Sequence, residues 1–317
     1  MSNVSCSSTL FPLAWIEDWE WNGQSISLAS PGISGKRDVV ILIHGFGACK
    51  EHWRFNIGAL KREYDVIAVD LLGFGASAKP HSRLKGEPAD KHSVCYGIDL
   101  WAQQVTSLIR ERLTTRVHLI GNSIGGVVAL AAAHQIECKG GHVTGIILIN
   151  CAQRAMDDKN IKDQATLHHL GRPLLKQLVR RRWLTEPLFW LLSKPAVIQK
   201  ILKLAYPTGS HIDADLVRML HRAATDPGAT ESFRGFINMF NDVLVTELLA
   251  QLKTPVRILW GQADPWEPIS EARLWTSFPC VQQLEELPGL GHCPHDEAPD
   301  RVNPVLLSML QLHSCLS

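Results

Sequence analysis

Ser123 lies in Gly121-Asn122-Ser123-Ile124-Gly125-Gly126, a G-x-S-x-G run. An apolar stretch precedes it (Val117, Leu119, Ile120) and a helical pattern follows (Val127 to Ile136). A tight strand-to-helix turn exposes such a serine at the end of a sheet, where a base can reach it. Positions 121 and 125 must be small because their backbones pass close to neighbouring segments, and both are glycine.

A serine hydroxyl attacks poorly at neutral pH without an adjacent base, and the base needs a partner that fixes its tautomer. Candidates for both follow in the order Ser…Asp…His. Asp264, in Gly261-Gln262-Ala263-Asp264-Pro265, follows an apolar strand, the place where a parallel sheet presents functional groups. An Asp before proline is also a common turn residue, and Asp157 and Asp158 are the alternatives. His292 stands in Gly289-Leu290-Gly291-His292-Cys293-Pro294-His295. His295 is its rival and reads as structural, bonding loop backbone or the adjacent Asp296-Glu297. His44-Gly45-Phe46-Gly47 closes the first parallel strand. The backbone N–H groups of Phe46 and Ile124 are expected to form an oxyanion hole. His44 and the run Asp70 to Gly75 read as structural.

These residues need a scaffold. Trp15 to Ser30 reads as a hairpin around Asn22-Gly23. Strands are expected at Val39–Ile43, Val66–Val69, Val117–Ile120, Ile146–Ile149, Val256–Trp260 and Gln283–Leu287. Helices are expected at Trp53–Lys61, Ile98–Arg112, Val127–Ile136 and Val302–Leu312. The alternation argues for a mostly parallel sheet covered on both faces. After Cys151 only helical patterns occur for roughly a hundred residues, too long for a simple connection. They are Leu174–Arg182, Pro187–Leu192, Ala196–Ala205, Ala214–Ala223 and Glu231–Phe240. The expected organisation is α/β: a core from 1–151 and 252–317, with a helical cap inserted at 152–251.

Of the 317 residues, 45% are hydrophobic and 20% charged, with net charge +1. That suits a packed globule and gives no reason to expect nucleic-acid binding. Eight scattered cysteines, from Cys6 to Cys315, form no CxxC pair. Most are expected to be free, and neither a metal nor a disulfide framework is expected. Gly73-Phe74-Gly75 lacks the third glycine of a dinucleotide fingerprint, and no phosphate-loop pattern exists, so no cofactor is expected. The first residues carry no signal-peptide pattern and no apolar run reaches spanning length, which suggests a cytoplasmic protein. Leucines and tryptophans of the cap (Leu174 to Leu192) suit a small hydrophobic ester as well as packing. Arg180-Arg181-Arg182 beside Trp183 offers peripheral contact with a membrane surface, or simply a solvated face.

Several motifs narrow the resemblance. They are Tyr96-Gly97-Ile98-Asp99-Leu100-Trp101, the GNSIGG elbow, Asp264-Pro265-Trp266 and Gly291-His292-Cys293-Pro294-His295-Asp296-Glu297. Together the chain resembles an α/β-hydrolase over nearly its full length. Within that fold it is similar to pheophytinase and the chlorophyll dephytylase-like serine esterases of plants and cyanobacteria. The resemblance implies release of phytol from a chlorophyll-type pigment, with Ser123 as nucleophile, His292 as base and Asp264 as its orienter. The chain departs from it at His44-Gly45, where pheophytinase is expected to have Pro-Gly, and it is expected to lack a long plastid-targeting extension. Two other readings share the fold: a carbon–carbon bond hydrolase, whose charged substrates need an arginine in the pocket, and a receptor without turnover.

Overall fold

The computed structural model describes residues 10–154, 157–161 and 172–314. Cys6, Cys315 and the leading residues 1–9 lie outside that range. Strands β1 (Ile16–Trp21) and β2 (Gln24–Ala29) form the expected hairpin. Both turn residues have positive φ, 50° at Asn22 and 72° at Gly23, as a type I′ turn requires. β3 (Val39–Ile43) and β4 (Asp65–Val69) follow, joined by a short 3-10 turn and the single-turn helix α1 (Ile57–Leu60). That link is shorter and less regular than the continuous Trp53–Lys61 helix expected from sequence. The charged loop beyond β4 carries a two-residue parallel pairing of β5 (His81–Ser82) with β6 (Ser93–Val94). Then come α2 (Ile98–Arg112), β7 (Val117–Asn122), α3 (Ile124–Glu137) and β8 (Gly145–Ile149).

Among the described residues, seven helices and no strand lie between β8 and β9. They are α4 (Asp158–Ile161), α5 (Arg172–Val179), α6 (Arg182–Leu192), α7 (Pro195–Ala205), α8 (Ala214–Thr225), α9 (Ala229–Ile237) and α10 (Val245–Leu249). α6 begins five residues earlier than expected and carries Pro187 inside it. The chain closes with β9 (Val256–Gly261), α11 (Ile269–Trp275), β10 (Val281–Leu287), α12 (Pro294–Glu297) and α13 (Pro299–Ser314). α11 has no counterpart in the sequence reading.

The main sheet has eight strands in the order β1-β2-β4-β3-β7-β8-β9-β10. Only β1 with β2 and β2 with β4 are antiparallel. The central strands are buried on both faces, which is why they read as unbroken Val/Ile/Leu runs. Their side chains alternate between two cores. Ile41 and Ile43 join Trp101, Val105 and Leu130 on the α2–α3 side, while Val40 and Leu42 join Trp53, Ile57 and Leu306 on the α1–α13 side. A third apolar cluster lies within the inserted helices, where Ile198, Leu202, Tyr206, Leu216 and Met219 close over Cys49 and Cys293.

The connection from β7 to α3 takes one residue, Ser123, at φ 54° and ψ −123°. It fits because of what flanks it. A Cβ on Gly121 would lie 2.2 Å from the carbonyl oxygen of Gly125, and one on Gly125 would lie 2.3 Å from that of Ile43. Those contacts are with backbone, which cannot swing aside. Gly125→Ala should therefore cost about 1–3 kcal/mol, the usual penalty for overpacking. Urea unfolding measures it, and an unchanged midpoint would mean that β3 and α3 do not touch as described.

Candidate active site

All the sequence-predicted residues gather at the C-terminal edge of the sheet. The backbone N–H of Ser123 donates to Ile149 (3.0 Å), and its carbonyl accepts from Gly126 (3.0 Å) and Ala152 (3.1 Å). The turn is thus held from both sides. Asn122, the preceding residue, donates through Nδ2 to the carbonyls of Ile149 (3.1 Å) and His292 (3.0 Å). It ties the serine turn to the histidine loop.

His292 Nδ1 lies 2.7 Å from Asp264 Oδ2. Nδ1 therefore carries the proton and donates it, which leaves Nε2 as an acceptor. Asp264 Oδ2 also receives Asn150 Nδ2 at 2.7 Å, and Oδ1 receives the N–H groups of Trp266 (2.9 Å) and Glu267 (3.1 Å). Burial works against this charge. The bonds from His292, the Trp266 N–H and Asn150 outweigh it and hold the carboxyl below its ordinary value. Trp266 meets the imidazole edge-on, with centroids 5.0 Å apart. The alternative acids are engaged elsewhere. Asp157 pairs with Arg154 at 2.7 Å, and Asp158 with Arg172 at 2.9 Å and with Lys176.

The histidine loop is built against the inserted helices. The N–H of His292 donates to Ala205, the last residue of α7, at 2.9 Å. Gly291 passes so close that a Cβ there would lie 2.1 Å from the same carbonyl oxygen. Glu297 receives Gly291 N–H (2.7 Å) on one oxygen, and the N–H (2.9 Å) and hydroxyl (2.7 Å) of Thr208 on the other. Asp296 receives Tyr206 Oη (3.0 Å) and the Arg54 guanidinium (2.7 Å), which also reaches Asp213 at the start of α8. The Tyr206 hydroxyl in turn accepts from His52 Nε2 at 2.8 Å.

His295 behaves differently from the expectation. It is fully buried, but it bonds neither Asp296 nor Glu297, and neither ring nitrogen has a hydrogen-bond partner among the described residues. It packs against Trp53 and His52, with centroids 4.3 and 4.8 Å away, and burial pushes its imidazole well below the ordinary value. Its role is packing, while its two acidic neighbours carry the polar contacts.

The N–H groups of Phe46 and Ile124 make no backbone hydrogen bond among the described residues. Ile124 opens α3, where the first N–H groups have no intrahelical acceptor. Phe46 is fixed by stacking on Phe236 of α9 at 3.9 Å. His44 braces the loop, with Nδ1 donating to Gly45 (2.7 Å) and Nε2 accepting from Leu71 (3.1 Å). Behind it Asp70 accepts both the N–H (2.6 Å) and the ammonium (2.8 Å) of Lys50. Cys49, Glu51 and Asp70 converge there within 4.8 Å, a set that could hold a metal ion. Lys50 already supplies the positive charge, and burial pushes the Cys49 thiol well above its ordinary value, away from the thiolate a metal would need.

A cavity of about 460 Å³ holds Ser123, His292 and Phe46 in its wall. Phe189, Leu192, Ile201, Leu202 and Phe233 make most of the rest apolar, and no Arg or Lys lines it among the described residues. Glu267 also faces it. Its Oε2 accepts the Gln153 N–H at 2.9 Å, while burial raises its carboxyl from 4.5 to about 7. A second cavity of about 440 Å³ adjoins the first, shares Phe236, Trp266 and Glu267 with it, and is lined by Ile124 and Arg154. A wider hollow of about 730 Å³, around Val143, Thr144 and Thr254, sits at the opposite end of the strands.

Asn122, Asn150, Glu267, Tyr206 and His52 escaped the sequence reading. Asn122 and Asn150 did leave a signal, since each is a polar residue ending an otherwise apolar strand run. Glu267 follows Asp264 by three residues and looks like an ordinary surface acid until its burial is seen.

A profile of the alpha/beta hydrolase family matches residues 40–305. Pheophytinase from the chloroplast of Arabidopsis thaliana is 29% identical over 293 residues; the match takes in 83% of this chain and 59% of that one. The chain thus spans about three-fifths of that relative's length. A 2-hydroxy-6-oxo-2,4-heptadienoate hydrolase of Pseudomonas putida is 32% identical over 272 residues, covering 82% of this chain and 83% of its own. Among solved structures, an epoxide hydrolase from Vigna radiata superposes with a TM-score of 0.73 at 18% identity, covering 95% and 99% of the two chains. A serine hydrolase of carbazole degradation gives 0.71 at 19% identity, covering 94% and 98%. At those identities the likeness is one of fold. With the family profile matched across most of its length, the chain belongs to the alpha/beta hydrolase family.

Proposed function

We propose that this hydrolase is a serine esterase that cleaves an apolar carboxylic ester through an acyl-enzyme. The observation that carries this reading is the 2.7 Å bond between Asp264 and His292, which lines the same cavity as Ser123. Ser123 Oγ adds to the ester carbonyl as its proton passes to His292 Nε2. The N–H groups of Phe46 and Ile124 receive the oxyanion, and losing one such donor typically costs about 10²–10³-fold. His292 then returns the proton to the departing alcohol. Water attacks the acyl carbon with His292 taking its proton, and Ser123 leaves with that proton restored. Asp264 stabilises the imidazolium throughout.

The relatives divide between an ester reading and carbon–carbon cleavage, and two features favour the ester. The substrates expected of a carbon–carbon hydrolase are charged and call for a basic residue. No Arg or Lys lines the Ser123 cavity among the described residues, and Arg154 of the adjoining one is paired with Asp157. The carboxyl in the wall is Glu267, which becomes negative as pH rises through about 7 and so repels a carboxylate. Within esters, the apolar cavity and the similarity to pheophytinase favour the phytyl ester of a chlorophyll-type pigment.

Fluorophosphonate should label Ser123, and Ser123→Ala should remove the label while lowering turnover of a model ester by on the order of 10⁴-fold or more. An alanine variant that keeps a tenth of the activity, with unchanged circular dichroism, overturns the esterase reading. Incubation with pheophytin and with chlorophyll should release phytol, detected by chromatography. No release from either removes the pigment ester and leaves the serine esterase standing.

Glu267 makes a separate prediction about stability. Unfolded, its carboxyl ionises near 4.5; folded, near 7. Between those values the native state holds a proton that the unfolded state has released, so this group's contribution falls as pH rises through that window and stays low above it. Glu267→Gln removes the effect. The melting temperature of the variant relative to the parent should therefore be higher at pH 8 than at pH 5. A difference independent of pH would show that Glu267 is not held in an apolar wall.

A further inference from the structure

Two of the inserted helices are apolar on both sides. On α6, Phe189 and Leu192 point into the cavity, while Trp183 (69% exposed), Leu188, Trp190 (65%) and Leu191 face outward. On α7, Ile198 and Leu202 face inward, and Leu204 (59%) faces outward. Ile201 is both exposed and part of the cavity wall. Single exposed leucines are ordinary, but two tryptophans among several aliphatic side chains on neighbouring helices make a patch that calls for a partner.

Charge identifies the partner. The chain as a whole is nearly neutral at +1, yet residues 172–205 hold eight Lys and Arg against one carboxylate, Glu186. Arg172, Lys176 and Arg182 are taken up by Asp158 and Glu231, and Arg180 by Glu87 at 3.9 Å. Arg181, Lys194, Lys200 and Lys203 are exposed and form no ion pair among the described residues. Lys194 rests its ammonium 4.0 Å over the Trp190 ring, at the edge of the apolar patch. Tryptophan and leucine rimmed by lysine is the composition that settles at a bilayer surface bearing negative headgroups, with the rings at headgroup depth and the cations on phosphate. A second copy of this chain would bring the same one-signed collar against it and be repelled.

We propose that the outer face of α6 and α7 docks on an anionic lipid bilayer, placing the Ile201 side of the cavity against the membrane. The inference does not depend on the ester chemistry. It adds a route, since a substrate dissolved in the bilayer would pass from lipid to the Ser123 cavity beside one pair of helices.

Sedimentation with vesicles tests it. The full chain should pellet with equimolar phosphatidylglycerol and phosphatidylcholine in low salt, and at least tenfold less with phosphatidylcholine alone or in 0.5 M salt. Trp183→Ala with Trp190→Ala, and separately Lys194→Glu with Lys200→Glu and Lys203→Glu, should each lower binding tenfold or more. Hydrolysis of a short, soluble ester should stay within twofold of the parent, because none of these side chains lines the cavity. Equal pelleting with and without anionic lipid overturns the proposal. So does a dimer of the parent, seen by light scattering, that the tryptophan variant abolishes, because the patch would then be covered by a second copy.

Discussion

The whole site depends on backbone lying against backbone where the strands end. Gly121, Gly125 and Gly291 are places where a single methyl group would overlap a carbonyl oxygen. Contacts of that kind transmit position rigidly because no rotamer can absorb an error. β3, β7 and the turn at Ser123 are thereby set against one another before any catalytic side chain is placed. The acute conformation of Ser123 is tolerated because both neighbouring segments hold it.

A second layer of constraint comes from the inserted helices. The histidine loop meets Ala205 by a main-chain hydrogen bond, Thr208 through Glu297, and Tyr206 through Asp296. Arg54, from the segment after β3, closes the circuit to Asp213. Buried networks of charged and polar groups are costly when broken and define one arrangement when complete. The short run from Cys293 to Glu297 is therefore structural apparatus for His292. That explains why so many polar residues sit buried beside it.

The strands and the order Ser123, Asp264, His292 were legible because burial on both faces and a single tight turn leave strong local patterns. Chain order left the acid open; in the structure Asp264 meets His292, while Asp157 and Asp158 bind Arg154, Arg172 and Lys176. Helix limits in the insertion were less legible. Pro187 looked like a start and is an interior residue of α6, and the single-turn α1 replaced a longer expected helix. Tertiary packing, not local propensity, sets those ends. His295 is structural as expected, but its neighbouring acids in sequence suggested partners that the fold turns elsewhere. Glu267, Tyr206 and His52 could not be singled out, since their importance comes from burial and from partners up to 154 residues away.

Ala205 has two obligations. Its side of α7 forms part of the cavity wall, and its carbonyl anchors the backbone of His292. The wall of the cavity is therefore mechanically continuous with the backbone that carries His292. Insertions of this kind are often pictured as interchangeable modules on a common core. Here an exchanged insertion would have to bring its own landing place for the histidine loop. New specificities in this lineage are then more accessible through side chains facing the cavity, such as Phe189, Leu192 and Phe233, than through wholesale replacement of the helices that carry them.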